Sequence, residues 1–207
     1  VTSCTPNEGK TSVSFQLALS VAEGGKRVVL VDADLRKSVL KGRYKTNASR
    51  YGLSHYLSGQ ASIADVTCKT NIENFYVIFS GPVPPNPSEL LGNDAFRLLL
   101  EYLRNEYDYV IVDTPPLGSV IDGAVAAQYC DGTVVVIESG AISYKFAQKV
   151  KEQLEKVDCR ILGVILNKVN MSGKGYYGAY YGKYYGKYYG KYYGNDEEGG
   201  LHAAVVQ

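Results

Sequence analysis

Five short runs of aliphatic and β-branched residues recur along the chain, separated by segments that have helical periodicity or loop composition. The runs are almost entirely apolar and lack the polar–apolar alternation of a half-exposed strand. They are Val28–Asp32, Phe75–Phe79, Tyr109–Asp113, Thr133–Glu138 and Ile161–Asn167. Such strands are typical of a mainly parallel sheet covered on both faces, so they predict a doubly wound α/β fold.

Helical periodicity occupies four segments: Thr11–Glu23, Asp94–Asn105, Asp122–Tyr129 and Ser143–Lys156. We interpret Val1–Thr2 as the end of a first strand that precedes them. Because the chain begins with Val1 and not with Met, almost at its first motif, we expect that further residues precede it. In a doubly wound sheet, ligands bind at the carboxyl ends of the strands.

The composition separates an ordinary domain from an unusual C-terminal segment. The chain has 207 residues, 19 of them tyrosines, and ten of these lie in Tyr-Tyr-Gly repeats between Tyr176 and Tyr193. We therefore predict one domain over residues 1–170 and a disordered tail over residues 171–207, because the repeats hold much glycine and little aliphatic surface. The net charge of +1 excludes a whole-chain field for nucleic acid, so we expect no nucleic-acid partner.

The segment from Ser3 to Thr11 has most of a phosphate-binding loop. The template GxxxxGK[ST] fails at its first glycine, which is Cys4 here, but Gly9, Lys10 and Thr11 are present between a strand and a helix. Glycine lets the backbone approach phosphate, lysine reaches the β and γ oxygens, and the threonine hydroxyl can bind Mg²⁺. The segment therefore predicts a phosphate loop that binds a nucleotide together with Mg²⁺.

Polar side chains at the ends of other strands fit the same site. Asp113 ends its strand in the position of an acid that binds Mg²⁺, and Asp32 and Asp34 end another strand next to Arg36. Two acids at a buried strand end are costly unless a cation lies there. Asn167 ends the last strand, where it is either an adenine-binding residue or a plain turn residue.

Together these motifs resemble the bacterial protein-tyrosine kinases that accompany capsular and exopolysaccharide export. TPNEGKTS is similar to the phosphate loop of that family, VLVDADLRKS to its second acidic (Walker A′) signature, and YVIVDTPPL to its Walker B segment. The run Pro84–Leu91 and the tyrosine-rich tail also match. The resemblance implies a P-loop NTPase of the deviant Walker branch. Two residues depart from the pattern: Asn7 replaces a glycine, and Ser38 stands where proline is usual.

The resemblance also implies roles for single residues. Lys10, Asp32, Asp34 and Asp113 become the catalytic set, with Asp32 as base for the acceptor hydroxyl. Thr11, Asp32, Asp34 and Asp113 become the Mg²⁺ ligands. The nucleotide contacts become Pro6, Asn7, Glu8, Gly9, Lys10, Thr11, Ser12, Arg36 and Asn167. The expected phosphoacceptors are Tyr176, Tyr177, Tyr180, Tyr181, Tyr184, Tyr185, Tyr188, Tyr189, Tyr192 and Tyr193.

The implied function is ATP-dependent autophosphorylation of the tail in trans, within a ring of identical subunits, to regulate polysaccharide synthesis and export. Expected partners are a transmembrane activator that resembles a chain-length regulator, other copies of the chain, and a cognate tyrosine phosphatase. The expected location is cytoplasmic, at the inner face of the cell membrane through the activator.

Two other functions use the same motifs. An ATPase of the chromosome- or septum-positioning type has a lysine five positions before the phosphate-loop lysine, where this chain has Thr5. A nucleotide-dependent scaffold without kinase activity would use the tail alone. Labelling of the tail with ATP separates both from a kinase.

Overall fold

The computed structural model describes residues 1–43 and 50–169. Its seven strands in these ranges are β1 Thr2–Ser3, β2 Val28–Asp32, β3 Thr67–Lys69, β4 Phe75–Ile78, β5 Tyr109–Asp113, β6 Thr133–Glu138 and β7 Ile161–Asn167. The helices are α1 Lys10–Glu23, α2 Leu40–Arg43, α3 Leu53–Leu57, α4 Ile63–Val66, α5 Pro87–Leu91, α6 Asp94–Glu106, α7 Asp122–Ala127 and α8 Tyr144–Glu155. The mainly parallel α/β fold predicted from the sequence is confirmed.

The strands form two sheets, in the orders β3-β4-β2-β5 and β1-β6-β7. Every pair is parallel except β3 with β4. Val1 joins the two sheets, because its terminal amino group donates to the carbonyl of Val112 and its carbonyl accepts from the backbone N–H of Thr114. β1 therefore lies between β5 and β6 and carries the phosphate loop at its carboxyl end.

Helices cover both faces of β2, as a doubly wound fold requires. Val28 and Leu30 pack on the face that holds Phe15 of α1, whereas Val29 and Val31 pack on the face that holds Leu99 of α6. Successive side chains of a strand point to opposite faces, so an apolar run without alternation is needed to fill both cores. This explains why VVLVD is apolar up to its last residue.

A cavity of about 610 Å³ lies beside β5 and β6 and is lined by Val1, Leu17, Val110 and Leu162 among others. No residue of the phosphate loop lines it. Among the described residues, no helix is long and apolar enough to cross a membrane.

The predicted tail, residues 171–207, lies outside the described residues, as do all ten predicted acceptor tyrosines.

Candidate active site

The phosphate loop runs from the end of β1 to the first turn of α1. Asn7 and Gly9 adopt left-handed backbone angles, with φ of 68° and 94°. A Cβ atom on Gly9 would lie 2.2 Å from Nδ2 of Asn167, so a side chain cannot be accommodated without displacing that residue. The turn delivers Lys10 and Thr11 to the N-terminus of a 14-residue helix, where unpaired N–H groups and the helix dipole favour an anion.

Lys10 connects the loop to the acids that follow β2. Its Nζ lies 3.2 Å from Oδ2 of Asp34 and 3.3 Å from the hydroxyl oxygen of Thr11. The other oxygen of Asp34 accepts from the backbone N–H groups of Arg36 and Lys37, at 3.3 and 2.9 Å. The lysine and this acid thus form an ion pair that is largely shielded from water.

Asp32 and Asp113 lie side by side because β2 and β5 are paired in register at these two residues. Both are about 1% exposed. Asp32 accepts a hydrogen bond from the hydroxyl of Ser38, and Asp113 accepts one from the hydroxyl of Ser14 at 3.1 Å. One oxygen of each carboxylate, Oδ1 of Asp32 and Oδ2 of Asp113, has no hydrogen-bond partner in the described part of the chain.

Burial disfavours the ionised form of both carboxylates. It raises the pKa of Asp32 to about 7; Asp113 and Asp34 add to the shift, and the Ser38 hydroxyl opposes it. Burial also raises the pKa of Asp113, whereas the Lys10 ammonium group opposes that shift. A cation at this edge of the sheet would stabilise the ionised forms of both carboxylates.

The donor set fits Mg²⁺ held together with a nucleotide. Within residues 1–43 and 50–169, no group of three or more His, Cys, Asp or Glu side chains converges into a metal site. Mg²⁺ in nucleotide sites needs only one or two carboxylates, because phosphate oxygens and water complete its shell. The predicted four-ligand set of Thr11, Asp32, Asp34 and Asp113 is therefore not assembled as a preformed cage and stays a prediction.

The end of β7 clamps the phosphate loop from the other side. Nδ2 of Asn167 donates to the carbonyl of Glu8 at 2.8 Å, and Nζ of Lys168 donates to the carbonyl of Asn7 at 2.7 Å. Lys168 also pairs with Glu138 at the end of β6. Sequence reasoning singled out Asn167 but missed Lys168 and Glu138, whose only signal was a position at or beside a strand end.

Glu8 is buried inside the loop, at about 1% exposure. Its carboxylate accepts from the backbone N–H of Thr5 at 2.6 Å and from that of Glu138 at 3.1 Å. Of the other predicted nucleotide contacts in the loop, Pro6 is exposed and Ser12 lies half-buried in the first turn of α1. Glu8 therefore acts on the shape of the loop, through two backbone amides.

Arg36 points away from the phosphate loop. Its guanidinium makes a two-pronged pair with Asp122, at 2.7 and 3.1 Å, and also donates to the hydroxyl of Ser88. Ser88 in turn donates to Asp122 at 2.6 Å. The Arg36 side chain thus joins the turn after β2 to α5 and α7, while the backbone N–H of Arg36 donates to Asp34. The role of Arg36 as a nucleotide contact stays a prediction.

Comparisons with known proteins agree with this geometry. A family model described as an AAA domain matches residues 7–167. The tyrosine-protein kinase CpsD of Streptococcus agalactiae is 46% identical over 176 residues, which cover 85% of this chain and 77% of that protein.

Solved structures of similar fold include the kinase domain of the Escherichia coli tyrosine kinase ETK, with 38% identity and a TM-score of 0.80 over 85% of this chain and 69% of that chain. They also include the septum site-determining protein MinD of Pyrococcus horikoshii, complexed with Mg-ADP, with 25% identity and a TM-score of 0.68 over 85% of this chain and 70% of that chain.

Proposed function

The chain belongs to the family of bacterial tyrosine-protein kinases, and from that premise we propose that it transfers the γ-phosphoryl group of ATP to tyrosines of its own C-terminal tail. The observation that carries the proposal is the meeting of three segments at one sheet edge. Lys10 reaches Asp34, and Asp32 lies beside Asp113 with one unpaired buried oxygen on each. A site for a phosphorylated nucleotide and a divalent cation needs this combination of charges.

Each residue has a distinct part in the proposed reaction. The loop amides and Lys10 hold the phosphates, while Thr11 and Asp113 hold Mg²⁺. Bound ATP–Mg²⁺ supplies the electrophilic phosphorus and neutralises charge on the phosphate oxygens. The oxygen of the acceptor tyrosine bonds to the γ-phosphorus while the bond from that phosphorus to ADP breaks. Asp32 accepts the proton that the tyrosine hydroxyl loses. In the nucleotide-free chain, burial raises the pKa of Asp32 to about 7, so this carboxylate takes up a proton more readily than an ordinary aspartate.

The proposed acceptors are the ten tyrosines between Tyr176 and Tyr193. We place the reaction between neighbouring subunits of a ring, with a membrane-spanning activator at the inner face of the membrane and a phosphatase that reverses it. Each phosphate adds about −1.5 to −2 charges. Accumulated charge would expel a tail from the neighbour's site, so modified chains would separate, and this exchange would regulate polysaccharide export. Equal particle sizes of modified and unmodified full-length protein would refute this switch.

Mass spectrometry of the tail after incubation with ATP and Mg²⁺ tests the transfer itself. We expect phosphate on several of the tyrosines in wild type, none in Lys10→Met, and only slow residual labelling in Asp32→Asn. Lys26→Met and Asp131→Asn are matched controls, because both residues are exposed and lie away from the loop, and both should label normally. Unlabelled wild-type tails, or labelled tails in Lys10→Met, would contradict the proposal.

A further inference from the structure

The turn between β2 and α2 is held rigidly on three sides. Leu35 and Leu40, which flank it, are each about 1% exposed. Its backbone N–H groups bind Asp34, and the Arg36 side chain is anchored on the fully buried Asp122. A side chain that projects from this turn therefore has a fixed origin.

Ser38 projects from the turn toward Asp32. Its hydroxyl donates to Oδ2 of Asp32, and its oxygen accepts from the backbone N–H of Leu40 at 3.3 Å. Because the Leu40 amide occupies one lone pair of the oxygen, the hydroxyl proton is left for the carboxylate. Asp32 is about 1% exposed, so water cannot readily replace this donor.

The bond decides which carboxylate oxygen is free. With Oδ2 bound to Ser38, Oδ1 is the oxygen that is left without a hydrogen-bond partner. A carboxylate with two free oxygens can turn about χ2, which has only broad preferences, whereas one bonded oxygen selects a single orientation. A proton acceptor must lie within hydrogen-bond reach of its substrate, so this orientation matters for rate.

We propose that Ser38 is a positioning residue of the phosphoryl transfer, which fixes the Asp32 carboxylate so that Oδ1 faces the acceptor hydroxyl. The inference rests on the proposed function of Asp32 as the base. In this account Ser38 acts on the reaction through Asp32 alone, so its loss should slow transfer and leave nucleotide binding intact. A purely local role, in which Ser38 only satisfies the Leu40 amide at the start of α2, would change stability alone.

The experiment uses the full chain and compares three variants: Ser38→Ala, Ser38→Thr, and the double variant that carries both Ser38→Ala and Asp32→Asn. The double variant is compared with Asp32→Asn alone. Val39→Ala is the matched control, because Val39 is the adjacent residue and is 38% exposed. The measurements are kcat and KM for ATP in tail labelling, affinity for a fluorescent ADP analogue without turnover, and the melting temperature. We expect Ser38→Ala to lower kcat about 10- to 100-fold, as for one hydrogen bond to a charged group. KM and ADP affinity should stay within about twofold.

Ser38→Thr keeps the hydroxyl and should recover most of the rate, and Val39→Ala should match wild type. In the Asp32→Asn background, Ser38→Ala should change the residual rate less than about twofold, because the two residues act as one unit. An undiminished kcat in Ser38→Ala, no recovery in Ser38→Thr, or an equal loss in the Asp32→Asn background would overturn the inference. Ser38→Thr keeps the test decisive if Ser38→Ala folds poorly, because its kcat is compared directly with that of wild type. Unlabelled wild type would instead overturn the proposed function, and the inference with it.

Discussion

Replacing Arg36 with alanine should destabilise the fold and leave nucleotide binding almost unchanged. Arg36 makes two hydrogen bonds to Asp122, whose side chain is 0% exposed. Without the guanidinium, the hydroxyl of Ser88 is the one side-chain donor left to the buried carboxylate among the described residues. An uncompensated buried charge is one of the few causes of a large single-residue effect on stability.

The size of the effect follows from the burial of the two partners. Removing one member of a fully buried pair costs about 3–5 kcal/mol. The Arg36 side chain is 40% exposed, so water would enter the space that it leaves. We therefore expect about 2–3 kcal/mol for Arg36→Ala. Asp122→Ala leaves a guanidinium that can turn to solvent, so its cost should be smaller, about 1–2 kcal/mol.

Guanidinium denaturation followed by circular dichroism measures these free energies of unfolding. The double variant Arg36→Ala/Asp122→Ala completes a double-mutant cycle. We expect a coupling energy of about 1–2 kcal/mol between the two residues. Arg97→Ala is the control, because Arg97 pairs only with exposed acids on its own helix and should change stability by less than about 0.5 kcal/mol. Unchanged stability in Arg36→Ala, together with weakened ADP binding, would refute the reasoning and support Arg36 as the nucleotide contact that the sequence predicts.

Three further predictions concern the site. Gly9→Ala should weaken ADP binding at least about tenfold, because the new Cβ would lie 2.2 Å from Nδ2 of Asn167 on a residue with a φ of 94°. Calorimetric titration measures the affinity for ADP, and an unaltered affinity would contradict the loop geometry. In metal-free and nucleotide-free protein, Asp32 has a folded pKa of about 7, above its unfolded value, so the free energy of unfolding should fall as pH rises from about 4 to 7, by up to about 4 kcal/mol. Asp32→Asn should abolish that part of the pH dependence in denaturation curves. Identical pH profiles for wild type and Asp32→Asn would show that the pKa of Asp32 is not raised. Lys168→Ala removes the bond to the Asn7 carbonyl and should raise the Kd for ADP about three- to tenfold with little change in melting temperature; an unchanged Kd would mean that the clamp does not shape the loop.

The main strands could be predicted because their sequences must fill two cores at once. Val28–Asp32 is apolar on both faces, and no exposed segment needs that pattern. The strand β3 and the short helices α2 to α5 could not be predicted in the same way. They are three to five residues long, and their short stretches of sequence contain no complete period of helix or strand.

Side-chain direction was harder to predict than position. The sequence placed Asp32 and Asp113 at strand ends, and strand pairing then set them side by side. It gave no sign that Glu8 turns inward to the amides of Thr5 and Glu138, or that Arg36 turns to a partner 86 residues away. These directions depend on tertiary neighbours, which a local motif does not contain.

The ratio of ADP released to phosphotyrosine formed, measured in the first turnovers of the full chain with Mg²⁺ and ATP, tests the central claim most directly. If Lys10, Asp32 and Asp113 transfer phosphate to a tyrosine hydroxyl, the two products should appear together, in a ratio close to one, and both should vanish in Lys10→Met. Release of ADP and inorganic phosphate without phosphotyrosine would contradict the account and assign the same residues to an ATPase.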